Sequence, residues 1–253
     1  MKTFLIANWK LYISARRSVT LAKTIARTFG IKRFRGLTQV LCPSDPILEE
    51  VGKTIRHSSL HLGAQNIGAA VRGAATGEIS AQDLRQLGCR YVIIGHSERR
   101  ARGETDAVIT KKLQIAAANG LVPILCVGEP RAARERHRHY AFVENQLRRA
   151  LSRFRASRLL IAYEPVWAIS QNGRSRGACS PERADEMRRM IIHTARRFHD
   201  TAERGFSVVY GGSVTGANIR HYVHRGGFDG ALVGFASTKL REYGTMIRGI
   251  TGG

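Results

Sequence analysis

The chain has 253 residues, an ordinary hydrophobic share of 43%, and 41 Lys and Arg against 19 Asp and Glu, a formal net charge of +22. No apolar run approaches the ~18 residues of a membrane span, and the N-terminus lacks the long apolar region and small-residue cleavage site of a signal peptide. The length is close to the roughly 250 residues of a one-domain (β/α)8 barrel.

Taken in chain order, strand-like and helix-like segments alternate. The pattern predicts strands near 4–9, 37–42, 59–65, 91–95, 122–127, 159–164, 206–210 and 229–234. Helices are expected near 15–29, 44–55, 80–87, 105–119, 132–153, 180–203, 217–224 and 238–249. Ser44, Ser80 and Ser180 are candidate helix caps, the last before Pro181 at a first helical position. The strand runs are β-branched and leucine-rich without alternation, as in strands buried on both faces. Eight such units with helices between them predict an α/β fold, a single-domain (β/α)8 barrel over residues 1–253. An open doubly wound sheet would favour a glycine-rich turn after the first strand, and Asn8-Trp9-Lys10 has none.

Three of these runs stop at groups that can handle protons or charge. Phe4–Ala7 stops at Asn8-Trp9-Lys10, Tyr91–Ile94 at Gly95-His96-Ser97-Glu98, and Leu159–Tyr163 at Glu164-Pro165. In a closed parallel sheet the carboxyl ends of the strands share one rim. A carboxylate, an imidazole and a fixed cation meeting there make a proton-transfer site. Gly211-Gly212-Ser213 after the seventh strand and Gly234 after the eighth stand where barrels often cradle a phosphate on backbone N–H groups.

The four cysteines form no C-x-x-C pair, so reduced thiols in a cytoplasmic protein are expected. No metal and no cofactor are called for. The charge would attract phosphorylated substrates and equally nucleic acid. The arginine-dense segment 131–139 lacks interleaved aromatic residues, which argues against a single-strand-binding surface, so a solvated outer helix face is the plainer reading.

The chain also resembles the triosephosphate isomerase family. The resemblance rests on Ala7–Lys10, Gly63–Asn66, Ala75–Ser80, Leu87–Arg100, Pro123–Glu129, Ala162–Ile169, Tyr210–Val214 and Asp229–Gly234, in family order across nearly the whole length. That family is itself a standard worked case of tuned acid–base chemistry. The resemblance implies Glu164 as the base, His96 as a neutral donor and Lys10 as the fixed cation. Asn8, Gly173, Gly211, Gly212, Ser213, Gly234 and Phe235 are then expected around the phosphorylated sugar, with Glu98 and Ser97 supporting the site. It also implies a homodimer through the loop around Thr76, and a lid over 166–180.

Three departures from the family pattern stand out. The stretch 170–180 is about four residues longer than the usual lid, Phe235 replaces a glycine after Gly234, and Tyr12-Ile13 replaces a small polar pair. A longer lid with Asn172-Gly173 resembles the paralogous branch acting on tetrulose phosphates, so that substrate stays open beside the triose. A basic anion- or nucleic-acid-binding protein on a degenerate barrel is the remaining alternative, against which the intact Lys10, His96 and Glu164 speak.

Overall fold

A computed structural model describes residues 2–31, 34–169, 177, 179–198 and 205–252. Within them eight parallel strands close into a barrel in chain order: β1 (Thr3–Asn8), β2 (Leu37–Cys42), β3 (His61–Ala64), β4 (Cys89–Ile94), β5 (Val122–Val127), β6 (Arg158–Tyr163), β7 (Gly205–Tyr210) and β8 (Gly230–Val233). Closure is made by β1 against β8, with Phe4 opposite Gly230 and Ala7 opposite Val233.

The non-alternating apolar runs are explained by two cores. Phe4, Ile6, Val40, Tyr91, Ile93, Val122, Ile124, Leu160 and Leu232 belong to the cluster that fills the barrel. Their strand neighbours Leu5, Ala7, Leu41, Val92, Ile94, Leu125 and Ile161 belong to the layer under the helices. Successive side chains point to opposite faces, so a strand covered on both sides must be apolar throughout. Burying one such side chain contributes about 1.5–3 kcal/mol.

The outer layer comprises α1 (Ala15–Phe29), α2 (Leu48–Ile55), α3 (Ala81–Gln86), α4 (Ser97–Arg100), α5 (Asp106–Ala118), α6 (Arg131–Glu135), α7 (His139–Leu151), α8 (Pro181–Phe198) and α9 (Leu240–Thr251). Ser80 and Ser180 cap as expected, accepting from Asp83 N and Arg183 N at 3.3 Å each. Ser44 does not: its hydroxyl makes no capping bond, and a 3-10 turn over Asp45–Ile47 precedes α2.

Two expected helices need correction, and one short helix falls outside the expected stretches. The stretch 132–153 is two helices, broken where His137 turns left-handed at φ 53°. In place of a helix over 217–224 there is a turn and a π-helical segment, His221–Arg225. The short α4 lies inside a motif that gave no helical periodicity, because four residues are barely one turn. No helix among the described residues is long and apolar enough to cross a membrane.

Candidate active site

The ends of β1, β4 and β6 bring Lys10, His96 and Glu164 together. Lys10 follows the last residue of β1 and takes a left-handed backbone, φ 45°, a conformation that costs a non-glycine residue roughly 1–2 kcal/mol. Its surroundings fix it. The Lys10 N–H donates to Asn8 Oδ1 at 3.2 Å, and Gln65 Nε2 donates to the Lys10 carbonyl at 3.1 Å. Asn8 is therefore placed to shape the lysine's backbone. The ammonium of Lys10 bonds Glu98 Oε1 at 2.7 Å, its side chain only 14% exposed. Burial raises the Glu98 carboxyl's pKa, but the hydrogen bond and charge of Lys10 more than offset this and hold it below its ordinary value.

His96 sits just before α4, and its Nδ1 accepts the Glu98 backbone N–H at 3.2 Å. A ring nitrogen that accepts carries no hydrogen, so the proton of a neutral ring lies on Nε2. That nitrogen is 3.1 Å from Glu164 Oε1. The other carboxylate oxygen of Glu164 accepts the Ser97 N–H at 3.0 Å. His96 and Glu164 are both buried. Ser97 and Glu98 thus contribute mainly through backbone N–H groups, with the Glu98 carboxylate adding the lysine contact.

Glu164 can lie here only because two neighbours lack side chains. A Cβ on Gly211 would come 2.8 Å from Glu164 Cγ, and one on Gly128 would collide with the Glu164 carbonyl. Beneath it Cys126 is buried; desolvation and then the Glu164 charge push its thiol well above the ordinary range.

After β7, Gly211 N–H donates to the Tyr163 carbonyl at 2.8 Å. Buried Ser213 donates from Oγ to the Ala168 carbonyl at 2.8 Å, tying this loop to the segment that follows Glu164. Gly234 follows β8 beside Lys10: a Cβ there would be 3.6 Å from Lys10 Cε. Ser237 N–H and Oγ both donate to the Gly234 carbonyl.

A family model described as triosephosphate isomerase matches residues 3–250. The chain belongs to the triosephosphate isomerase family. The triosephosphate isomerase of Rhodopirellula baltica is 38% identical over 252 residues, covering 98% of this chain and 97% of that protein. Those of Endomicrobium trichonymphae and Dehalococcoides mccartyi (strain ATCC BAA-2100 / JCM 16839 / KCTC 5957 / BAV1) are 35% and 37% identical, each spanning 98% of this chain and 98% and 96% of their own length.

Against that family background Phe235 is the departure at the rim. Its ring meets Tyr12 edge-on at 5.2 Å, and the Lys239 ammonium lies 4.6 Å from its centroid. Two of the family departures, Tyr12 and Phe235, therefore pack on each other, with Lys10 Nζ 5.9 Å from the Tyr12 ring. Gly173, expected at the phosphate, lies outside the described residues.

Sequence reasoning missed one group. Glu129, fully buried after β5, accepts from Trp167 Nε1 at 2.7 Å, Arg134 Nη1 at 2.9 Å and the Tyr163 hydroxyl, while its carbonyl accepts the Val166 N–H. It anchors both sides of Glu164 and the start of the expected lid. Its signal was an acid two residues beyond a buried strand, much as Glu164 directly follows one, but its partners are distant in sequence. Among the described residues no cluster of His, Cys, Asp and Glu could hold a metal ion.

Proposed function

We propose that this chain interconverts dihydroxyacetone phosphate and glyceraldehyde 3-phosphate through an enediolate. The observation that carries the proposal is the approach of His96 Nε2 to Glu164 at 3.1 Å beside the Lys10 ammonium. Glu164 takes a proton from one carbon and returns it to the neighbouring one. His96, neutral with its proton on Nε2, donates to the substrate oxygens in turn. The Lys10 charge stabilises the negative charge that develops on them. Glu164 is now held by Ser97 and His96; a substrate that takes the His96 donor for its own oxygens frees the carboxylate to turn toward carbon.

The phosphate rests on N–H groups of the Gly211–Ser213 loop and beside Gly234, with Gly173 and the rest of 166–180 closing over it. Closure keeps water from an intermediate that would otherwise eliminate phosphate. Leu11 is 85% and Val71 49% exposed on loops that flank Lys10 and Thr76, which supports a homodimer through this face. The reading requires no metal or cofactor, and we place the protein in the cytoplasm as one barrel domain.

A coupled assay with glyceraldehyde 3-phosphate tests the activity, and absence of turnover in the intact protein would sink it. The His96 assignment has its own test: ring 15N shifts should show Nε2 protonated and Nδ1 bare, and the reverse pattern would rule out this donor. A second reading, a tetrulose phosphate as substrate, is supported by the Tyr12–Phe235 pair beside the phosphate end. It would prevail if kcat/KM were higher for the four-carbon sugar. Salt-sensitive DNA binding with no turnover of either sugar would instead favour a basic binding protein.

A further inference from the structure

At the end of the barrel opposite Glu164, a cavity of about 580 Å³ opens among the strand starts. Its floor includes Phe4, Tyr91 and Leu160 from the lowest layer of the barrel core. Its wall carries Lys2, Arg90 and Arg158, with His61 beside Tyr91. No Asp or Glu lines it. Unlike Lys10 at the other end, none of these three cations has an acidic partner among the described residues.

All three cations are exposed on the wall of this cavity. Burial raises the Tyr91 hydroxyl's pKa, while Arg90 and Arg158 both act on it in the opposite sense. Burial and then the charge of Arg90 lower the His61 ring's pKa. Like charges gathered in a concavity with a low-dielectric floor repel one another and focus a positive field, and a bound anion relieves both. Arginine offers paired N–H donors that match phosphate oxygens. The floor adds something a bare anion does not need: Phe4, Tyr91, Val122 and Leu160 give it an apolar surface, with the His61 ring 5.8 Å from that of Tyr91 and tilted by 50°. The volume falls in the usual range for small-ligand sites.

We infer that this cavity binds a nucleoside di- or triphosphate, its phosphates on Arg90, Arg158 and Lys2 and its base against the His61–Tyr91 floor. The site is separate from the catalytic rim. Arg158 opens β6 and Glu164 follows its end, a span of roughly 20 Å at the usual strand rise.

The test is calorimetric titration of the intact protein with ADP at physiological salt. One saturable site per chain is expected, undisturbed by saturating triose phosphate. Combining Arg90→Ala with Arg158→Ala should weaken ADP by about tenfold or more, with the unfolding midpoint and the isomerase kcat and KM nearly unchanged. Combining Arg136→Ala with Arg153→Ala, which removes the same charge from exposed outer positions, should leave ADP binding within about twofold. Pyrophosphate should bind more weakly than ADP. Equal losses in the two double variants, competition by triose phosphate, or no saturable binding would overturn the inference. So would pyrophosphate matching ADP, or a single-stranded oligonucleotide outcompeting it.

Discussion

The two ends of the barrel treat charge in opposite ways. At the carboxyl end the ionic groups of the candidate site are paired: Lys10 holds Glu98, Glu164 is held by His96 and Ser97, and Glu129 binds Arg134, Tyr163 and Trp167. At the amino end Lys2, Arg90 and Arg158 face a common hollow without acids. Preorganised charge costs little reorganisation when a reaction begins; uncompensated charge instead draws an anion from solution. One architecture therefore separates a site built to react from a surface built to attract.

The sharpest break in that comparison comes from one substitution at each end. Glu164→Gln should lower kcat by at least about two orders of magnitude, because an amide cannot relay the proton, whereas Arg158→Ala should leave kcat almost untouched. A loss below threefold in the first would remove Glu164 from the mechanism. Next, Glu129→Gln puts an amide N–H among donors that need acceptors. We expect a loss of about 2 kcal/mol in urea unfolding, and unchanged stability would mean the buried network contributes nothing.

A smaller effect should follow at the phosphate end. Phe235→Gly removes the ring that packs on Tyr12 and should raise kcat/KM for the triose phosphate by about fivefold, since small misplacements of a substrate are costly. No gain would show that the ring does not obstruct the site. Smaller still is the Lys10–Glu98 pair. The folded Glu98 pKa lies below its ordinary value of 4.5, so its stabilisation is present above that pH and fades as pH falls through the folded value. Glu98→Gln should thus cost stability at pH 7, by less than about 1 kcal/mol because the carboxylate is half-exposed, and little at pH 3. A gap that widened in acid would contradict this.

In one respect the ends should agree. Burial, the leading cause in each, pushes the thiols of Cys89, at the start of β4, and Cys179, before α8, up to about 12. Neither should react with iodoacetamide at pH 8 until the protein unfolds, and labelling of the native chain would show an opening near the reactive residue.

The barrel was legible because burial on both faces writes itself directly as unbroken apolar runs, and the rim because Lys10, His96 and Glu164 stand just past such runs. What escaped was whatever depends on partners far along the chain. Nothing local marks Glu129 for Trp167, and nothing ties Lys2, Arg90 and Arg158 together until the strands close. The break before α7 escaped for another reason: His137 adopts a left-handed backbone without a glycine or proline to announce it. Tyr12 and Phe235 each read as an isolated departure in the sequence; only the fold makes them neighbours.

Glu98 serves the rim twice, and the two services belong to different parts of the residue. Its carboxylate positions Lys10, while its backbone N–H decides which nitrogen of His96 carries the hydrogen. Any residue but proline supplies that N–H. The lysine's anchorage is therefore open to ordinary mutation, whereas the imidazole's tautomer is stored in the main chain, where side-chain exchange cannot reach it.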